Sequence, residues 1–131
     1  QRIDISDVYM GGQATTSAPS LMILARDSLV QATPTALSTG NSNAALDPAT
    51  AALAAAQVAF VASTTKPQRS ATLAGLNMSY NAFGGIVRLQ LPLGSEFKIL
   101  GNTASLGEVS LSAYTGGTPG LTGAHIIYEP F

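Results

Sequence analysis

The stretch that most constrains the fold is residues 84–100, GGIVRLQLPLGSEFKIL. Large apolar residues occupy every second position on both sides of a Pro-Leu-Gly sequence: Val87, Leu89, Leu91, Phe97 and Ile99. This period of two is typical of strands with one buried face. Pro92 and Gly94 suit a tight turn, because proline presets φ and glycine accepts the left-handed conformation. The pattern therefore predicts a β-hairpin, and further sheets must cover its apolar face.

Other short segments have strand patterns separated by turn residues: 2–10, 20–30, 57–63, 72–80, 107–114 and 124–128. A helix is the competing interpretation for 20–30, where Leu21, Leu24 and Leu29 also share a helical face. Asp47 and Pro48 suit the start of a helix that continues through alanines to residue 56. The fold class predicted is mainly β, an antiparallel β-sandwich or jelly roll of about seven or eight short strands. One short Ala-rich helix is expected near residues 47–56.

The charge content indicates how the surface is used. Only 10% of the 131 residues are charged, compared with about 25% in ordinary soluble domains. Hydrophobic residues make up 46%, so the chain has the apolar content of a folded domain. A small domain normally keeps a charged surface for solubility. Two explanations fit: the surface is covered in an assembly, which we favour, or the protein is exported with a neutral polar coat.

The domain organisation predicted is a strand or arm with a linker at residues 1–20 and a single β domain at residues 21–131. The polar run 13–20 has loop composition, and long loops often contact a neighbour. Apolar residues near both ends of the chain are the candidate partner contacts, since they would otherwise stay exposed. These candidates are Val8, Tyr9, Met10, Tyr128 and Phe131. The alternative is that they fold back onto the core of their own chain.

No motif indicates catalysis, a metal or a cofactor, and we expect none of the three. His125 is the only histidine, there is no cysteine, and no G-x-S-x-G sequence supports a nucleophile. Nothing in the sequence pairs two of the acids Glu96, Glu108 and Glu129, or surrounds Asp4 and Asp7 with further ligands. The net charge of −1 and the absence of a long apolar run argue against nucleic-acid and membrane partners. No small-molecule substrate is expected either.

Three segments, QATTSAPSLMILARDS, STTKPQRSATL and TASLGEVSLSAYTGGTPG, are similar to small structural proteins of tailed-bacteriophage virions. The resemblance covers most of the chain and brings no functional residue with it. It implies a capsid decoration (cement) protein located in the virion, which binds across capsomers and strengthens the shell. The implied partners are a major capsid protein and copies of the chain itself, often as a trimer.

Two other functions remain open from the sequence. One is an exported carbohydrate-binding or appendage β-sandwich module, in which the glycine-rich segment 115–123 would contact the ligand. The other is a phage tail structural protein, a close variant of the decoration role. A soluble monomer that binds glycans would favour the module.

Overall fold

The computed structural model describes residues 2–29, 35–36, 43–49, 59–60, 68–73, 75–100, 107–114 and 121–131. The described strands are β1 (Arg2–Gly12), β2 (Pro19–Leu29), β3 (Thr35–Ala36), β4 (Ala59–Phe60), β5 (Gln68–Arg69), β6 (Gly75–Asn81), β7 (Ile86–Gln90), β8 (Phe97–Leu100), β9 (Val109–Ala113) and β10 (Thr122–Pro130). Eight of them form two antiparallel four-stranded sheets, and β3 pairs only with β4. The mainly β fold class is thereby confirmed. None of the described segments is a helix that could cross a membrane.

The first sheet is built around β1. Strand β10 pairs with β1 along one side, from Ile3 opposite Pro130 to Gly12 opposite Thr122. On the other side, β8 pairs with residues 2–5 of β1 and β7 pairs with residues 7–11. Strands β7 and β8 therefore follow one another in line along the same neighbour.

The predicted hairpin is wrong, because β7 and β8 both pair with β1 and run in the same direction. The segment between them makes a local loop, in which Ser95 N donates to Pro92 O at 2.9 Å and Gly94 has a φ of 88°. The chain then resumes its course along β1. Its alternation was interpreted correctly, since Val87, Leu89, Leu91, Phe97 and Ile99 all face the core. The strand with which each half pairs was predicted wrongly, because both halves pair with β1.

The second sheet has the same plan around β2. Strand β6 pairs with residues 19–25 of β2 while β9 pairs with residues 22–26, so these two strands lie on opposite sides. Strand β5 pairs with Asp27 and Leu29 and precedes β6 in line. Residues 20–30 are thus strand rather than helix up to Leu29, as we favoured. The run of apolar residues at 21–24 fits this position, because Met22, Ile23 and Leu24 are all buried although successive side chains point to opposite faces of the sheet.

One hydrophobic core lies between the two sheets. Its buried members come from β1, β2, β6 and β8 and from the turn after β6: Ile5, Val8, Met10, Met22, Leu24, Met78, Tyr80, Ala82 and Phe97. Leu24 and Val8, on the two central strands, are completely inaccessible to solvent. Each sheet therefore has an inner face on the core and an outer face turned away from it.

Residues 2–12 form the central strand of a sheet rather than an arm that leaves the domain. A β-bulge between Ile5 and Asp7 shifts the register and explains why the alternation breaks near Val8. At the predicted helix, Asp47 Oδ1 accepts a hydrogen bond from Ala49 N at 2.9 Å, as in a helix N-cap. Residues 50–56 lie outside the described residues, so the Ala-rich helix remains a prediction.

Candidate contact site on the outer face of the first sheet

The outer face of the first sheet carries the candidate site. On this face the residues of β1 that point away from the core lie beside those of its neighbours. Across the sheet they form rows, two of which matter here: His125–Tyr9–Arg88, and next to it Gly123–Gly11–Ile86. The first row is bulky and the second is nearly bare, because two of its three members have no side chain.

Four of the charged groups of this face form two ion pairs within the chain, Arg88–Asp7 and Arg2–Asp4. Arg88 donates to Asp7 through Nε at 2.9 Å and Nη2 at 2.6 Å, both to Oδ2. Asp7 is buried, and its hydrogen bonds from Arg88 hold the pKa of its carboxyl below the usual value, although burial acts in the opposite direction. Arg2 pairs with Asp4 in the same way, with Nε 2.8 Å from Oδ1. The middle of the face therefore offers paired charges rather than a net charged patch.

A cleft of about 420 Å³ lies at the end of this face where β1 leaves the sheet. Tyr9 and His125 stand on one side with their rings stacked at 4.9 Å between centroids and 6° between planes. The floor is backbone, and the remaining lining residues are Gly11, Gly12, Gln13, Gly84, Gly85, Ile86, Gly123 and Ala124. Among the described residues, the lining contains an imidazole, a phenol and an amide but no carboxylate, lysine or arginine.

The chain segments behind the cleft are held together by backbone hydrogen bonds. Gly12 N donates to Gly85 O at 2.9 Å, and Ala82 N donates to Ala18 O at 2.9 Å. These bonds connect the β1–β2 loop to the β6–β7 turn. The two segments that run from one sheet to the other therefore lie side by side. Gly12 and Gly85 are required there, because an added Cβ would lie 2.1 Å from Ala82 O and 2.0 Å from Asn81 O, respectively.

Gly11 and Gly123 are different, because the fold does not require them. They face each other across β1 and β10, and a Cβ built on either one would meet no atom within 4 Å. Glycine inside a strand is less stable than a residue with a side chain by roughly 0.5–1 kcal/mol. It often marks a place where a ligand or another backbone approaches closely. This pair keeps the floor of the cleft flat.

Large apolar side chains are exposed at both ends of the first sheet. Ile86, Leu121 and Phe83 lie near the cleft, with exposed fractions of 66%, 67% and 59%. Leu100 and Phe131 lie at the opposite end, where the Arg2 guanidinium is 4.7 Å from the centre of the Phe131 ring. Isolated exposed apolar residues are ordinary, whereas contiguous ones mark contact surfaces, so the group near the cleft is the stronger candidate.

The structure separates the five residues predicted to contact a partner. Val8 and Met10 are 0% and 1% exposed and belong to the core, so their side chains are not available to another chain. Tyr128 is half-buried against the core, and its hydroxyl donates to Asn43 Oδ1. Tyr9 and Phe131 lie on the outer face, one beside the cleft and one at the far end.

Gly11, Gly123 and Ile86 were missed by the sequence interpretation. Gly11 is next to a glycine in a loop-like stretch, and Gly123 is the last residue of the glycine-rich segment 115–123, so neither stands out as a strand residue. His125 lies in a strand, as predicted, and in addition stacks on Tyr9. Only the strand register places these residues together.

The other acidic candidates have local roles. Glu96 accepts a hydrogen bond from Gly94 N at 2.7 Å, which lowers the pKa of its carboxyl and stabilises the loop between β7 and β8. Glu108 lies next to Asp27 on the second sheet, and Glu129 pairs with Asp4 in register. Within the described residues there is no group of three or more side chains that could hold a metal ion.

The chain matches no family model, no curated protein and no solved structure.

Proposed function

We propose that this chain is a structural protein of a virus particle, a capsid decoration protein that binds across capsomers and stabilises the shell. The observation that carries the proposal is the outer face of the first sheet, with exposed apolar side chains at both ends and internally paired charges between them. Interface cores are depleted in unpaired charge and enriched in aromatic residues and arginine. This face has that composition in a chain with few charges overall.

The cleft is the proposed point of closest approach. A partner's side chain or extended segment would lie on the peptide floor at Gly11 and Gly123, between the Tyr9–His125 stack and Ile86. Backbone can approach backbone there, because no Cβ intervenes. The exposed apolar residues around the cleft would then lose contact with water, which favours association.

The sandwich arrangement belongs to the same proposal. Two antiparallel sheets that share a core, as here, leave two outer faces, and a sandwich of this kind can bind a shell through one face only. Along β6, the outer face of the second sheet presents the exposed neutral polar side chains Asn77 and Ser79, which are suited to solvent.

The test is binding of the purified chain to capsids assembled from the major capsid protein encoded in the same genome. Co-sedimentation of wild-type protein with these shells is expected, together with greater resistance of the shells to heat. The Gly11→Val variant should fold normally but fail to bind, because a Cβ at this position meets no described atom within 4 Å and the added side chain occupies the space above the cleft floor. Ser79→Val on the outer face of the second sheet is the matched control and should bind. Failure of the wild-type protein to bind the shells, or equal binding by both variants, would contradict the proposal.

An exported carbohydrate-binding module is the second candidate, and one observation favours it. Tyr9, His125 and Gln13 bring aromatic surface and neutral hydrogen-bonding groups to the cleft, a combination suited to a hydroxylated ring. A glycan array separates the two functions: the module predicts binding that Gly11→Val abolishes. Light scattering at micromolar concentration adds the oligomeric state, since the decoration role is expected to involve copies of the chain. A phage tail protein would bind tail particles rather than shells.

A further inference from the structure

Asp27 is a carboxylic acid in an unusual position. It lies on β2 facing the outer side of the second sheet, yet it is 0% exposed. Its Oδ1 accepts a hydrogen bond from Ser110 Oγ at 2.7 Å. Its Oδ2 is buried, and no donor among the described residues reaches it. An ionised carboxylate with a buried, unpaired oxygen is costly, so its neighbours must explain how it is accommodated.

The carboxyl group next to Asp27 is that of Glu108. Asp27 N donates to Glu108 O at 3.2 Å, which keeps the two residues side by side where β2 meets the start of β9. Val109 pairs with Arg26, so Glu108 lies directly opposite Asp27 on the same face of the sheet, where the Cβ atoms of opposite residues are about 4.5–5.5 Å apart. Two carboxyl groups can hydrogen-bond only if one of them carries a proton.

Two arginines lie near Asp27, and both have other partners. Arg69 pairs with Asp27 in register, but its Nη1 donates to Ala113 O at 3.2 Å and its guanidinium lies 5.2 Å from the Tyr114 ring centre. Arg26 belongs to the other face of β2, where it lies over the Phe97 ring and donates to a β8 carbonyl. The segment 70–73 brings no ionisable side chain. Arg69, which pairs with Asp27 in the strand register, therefore neutralises the negative charge of the two carboxyl groups only in part.

We infer that Asp27 and Glu108 hold one proton between them, and that this shared proton stabilises the end of the second sheet where β2, β5 and β9 meet. With the proton present, the pair has one negative charge and an internal hydrogen bond. Without it, two carboxylates are in contact and one of them is buried. The inference concerns the second sheet alone and is independent of the function proposed for the first.

The direction of the pH effect follows from burial. Burial raises the pKa of Asp27 to about 6 from 3.8, Glu108 adds to the increase, and the hydrogen bond from Ser110 opposes it. A folded-state pKa above the unfolded value means that the folded protein binds the proton more tightly. This contribution to stability is complete below pH 3.8 and is lost as the pH rises through about 6. The end of the second sheet is therefore tighter in mildly acidic solution than at neutral pH.

The first measurement is a carbon-13 NMR titration of the side-chain carboxyl groups, which reports each acid separately. We expect the Asp27 carboxyl to titrate with a midpoint near 6. In Glu108→Gln, the amide can donate to Asp27 Oδ2, so the Asp27 midpoint should move towards its ordinary value. An unchanged Asp27 midpoint in this variant would overturn the inference.

The second measurement is urea unfolding between pH 4 and pH 7. Asp27→Asn imitates the protonated acid, because its amide can donate to Glu108 at every pH. Relative to this variant, the unfolding constant of the wild-type protein should rise about a hundredfold over that range. Asp47→Asn is the matched control at an exposed position and should follow the wild-type curve. Parallel pH profiles for wild-type protein and Asp27→Asn would also overturn the inference, and the wild-type titration decides the matter if Asp27→Asn does not fold.

Discussion

Two adjacent glycines should respond to alanine with opposite signs. At Gly11 an added Cβ meets nothing within 4 Å, whereas at Gly12 it would lie 2.1 Å from Ala82 O. Alanine relieves the entropic cost of glycine in a strand, so Gly11→Ala should stabilise the protein by about 0.5–1 kcal/mol. Gly12→Ala must displace the backbone of the β6–β7 turn and the Gly12–Gly85 hydrogen bond with it. We expect a loss of about 2 kcal/mol or more, in the upper range for overpacking.

Urea denaturation followed by far-UV circular dichroism measures both effects, provided that the slope of the free energy with urea is the same in all variants. Gly123→Ala serves as a second test, because Gly123 is opposite Gly11 and equally free of neighbours. A destabilised Gly11→Ala, or a Gly12→Ala variant as stable as the wild-type protein, would refute the description of the cleft floor. The first result would mean that the fold requires Gly11, and the second that it does not require Gly12.

Three further predictions test other parts of the molecule. Leu24→Ala should lower the free energy of unfolding by about 2–5 kcal/mol, because Leu24 is fully buried in the shared core; Leu93→Ala, at a position 98% exposed, should leave urea unfolding unchanged. Asp7→Asn should remove stability that the wild-type protein has above pH 3.8 and loses as the pH falls through the lowered pKa of Asp7; a thermal-unfolding series from pH 2 to pH 7 measures this, and identical profiles would contradict the role of the Arg88 pair. Phe131→Ser should weaken shell binding without altering stability, whereas a drop in melting temperature would assign Phe131 to the fold.

The sequence predicted which face of each strand is buried far better than which strands are neighbours. In residues 86–100 the alternation identified every inward residue, because a period of two depends only on the local backbone. Pairing depends on distant residues: Leu89 lies opposite Val8, and Phe97 lies opposite Ile5. A Pro-Leu-Gly turn is compatible both with a hairpin and with a loop that lets the strand continue. Local sequence therefore could not distinguish the two.

The bulge in β1 explains another difference. Ile3 and Ile5 share the inner face with Val8 and Met10 only because one extra residue near Ser6 shifts the alternation. Without the bulge, residues 8–10 lose the pattern, so the sequence predicts a strand or arm with three contact residues at this end. A bulge has no sequence signature as clear as that of a turn, so local sequence does not reveal it.

The candidate site was predicted only in part. Tyr9 was identified because it is aromatic and near the chain terminus, and it lies beside the cleft. The cleft itself results from glycines 112 residues apart in sequence, Gly11 and Gly123, which meet through strand pairing. The low charge content predicts that part of the surface is covered in an assembly. The candidate position of that part follows only from the strand register of the first sheet.

The place of β1 in its sheet has a consequence for how the protein is made. Every strand that pairs with it comes from the last third of the chain, and β10 ends at Pro130. During synthesis the first strand leaves the ribosome long before any of its neighbours exists. Pairing over such a sequence separation is slow, and an apolar strand without its neighbours is exposed to aggregation in the meantime. We therefore expect the first sheet to form only once residues 86–130 have been synthesised, and expression of the protein to depend strongly on temperature.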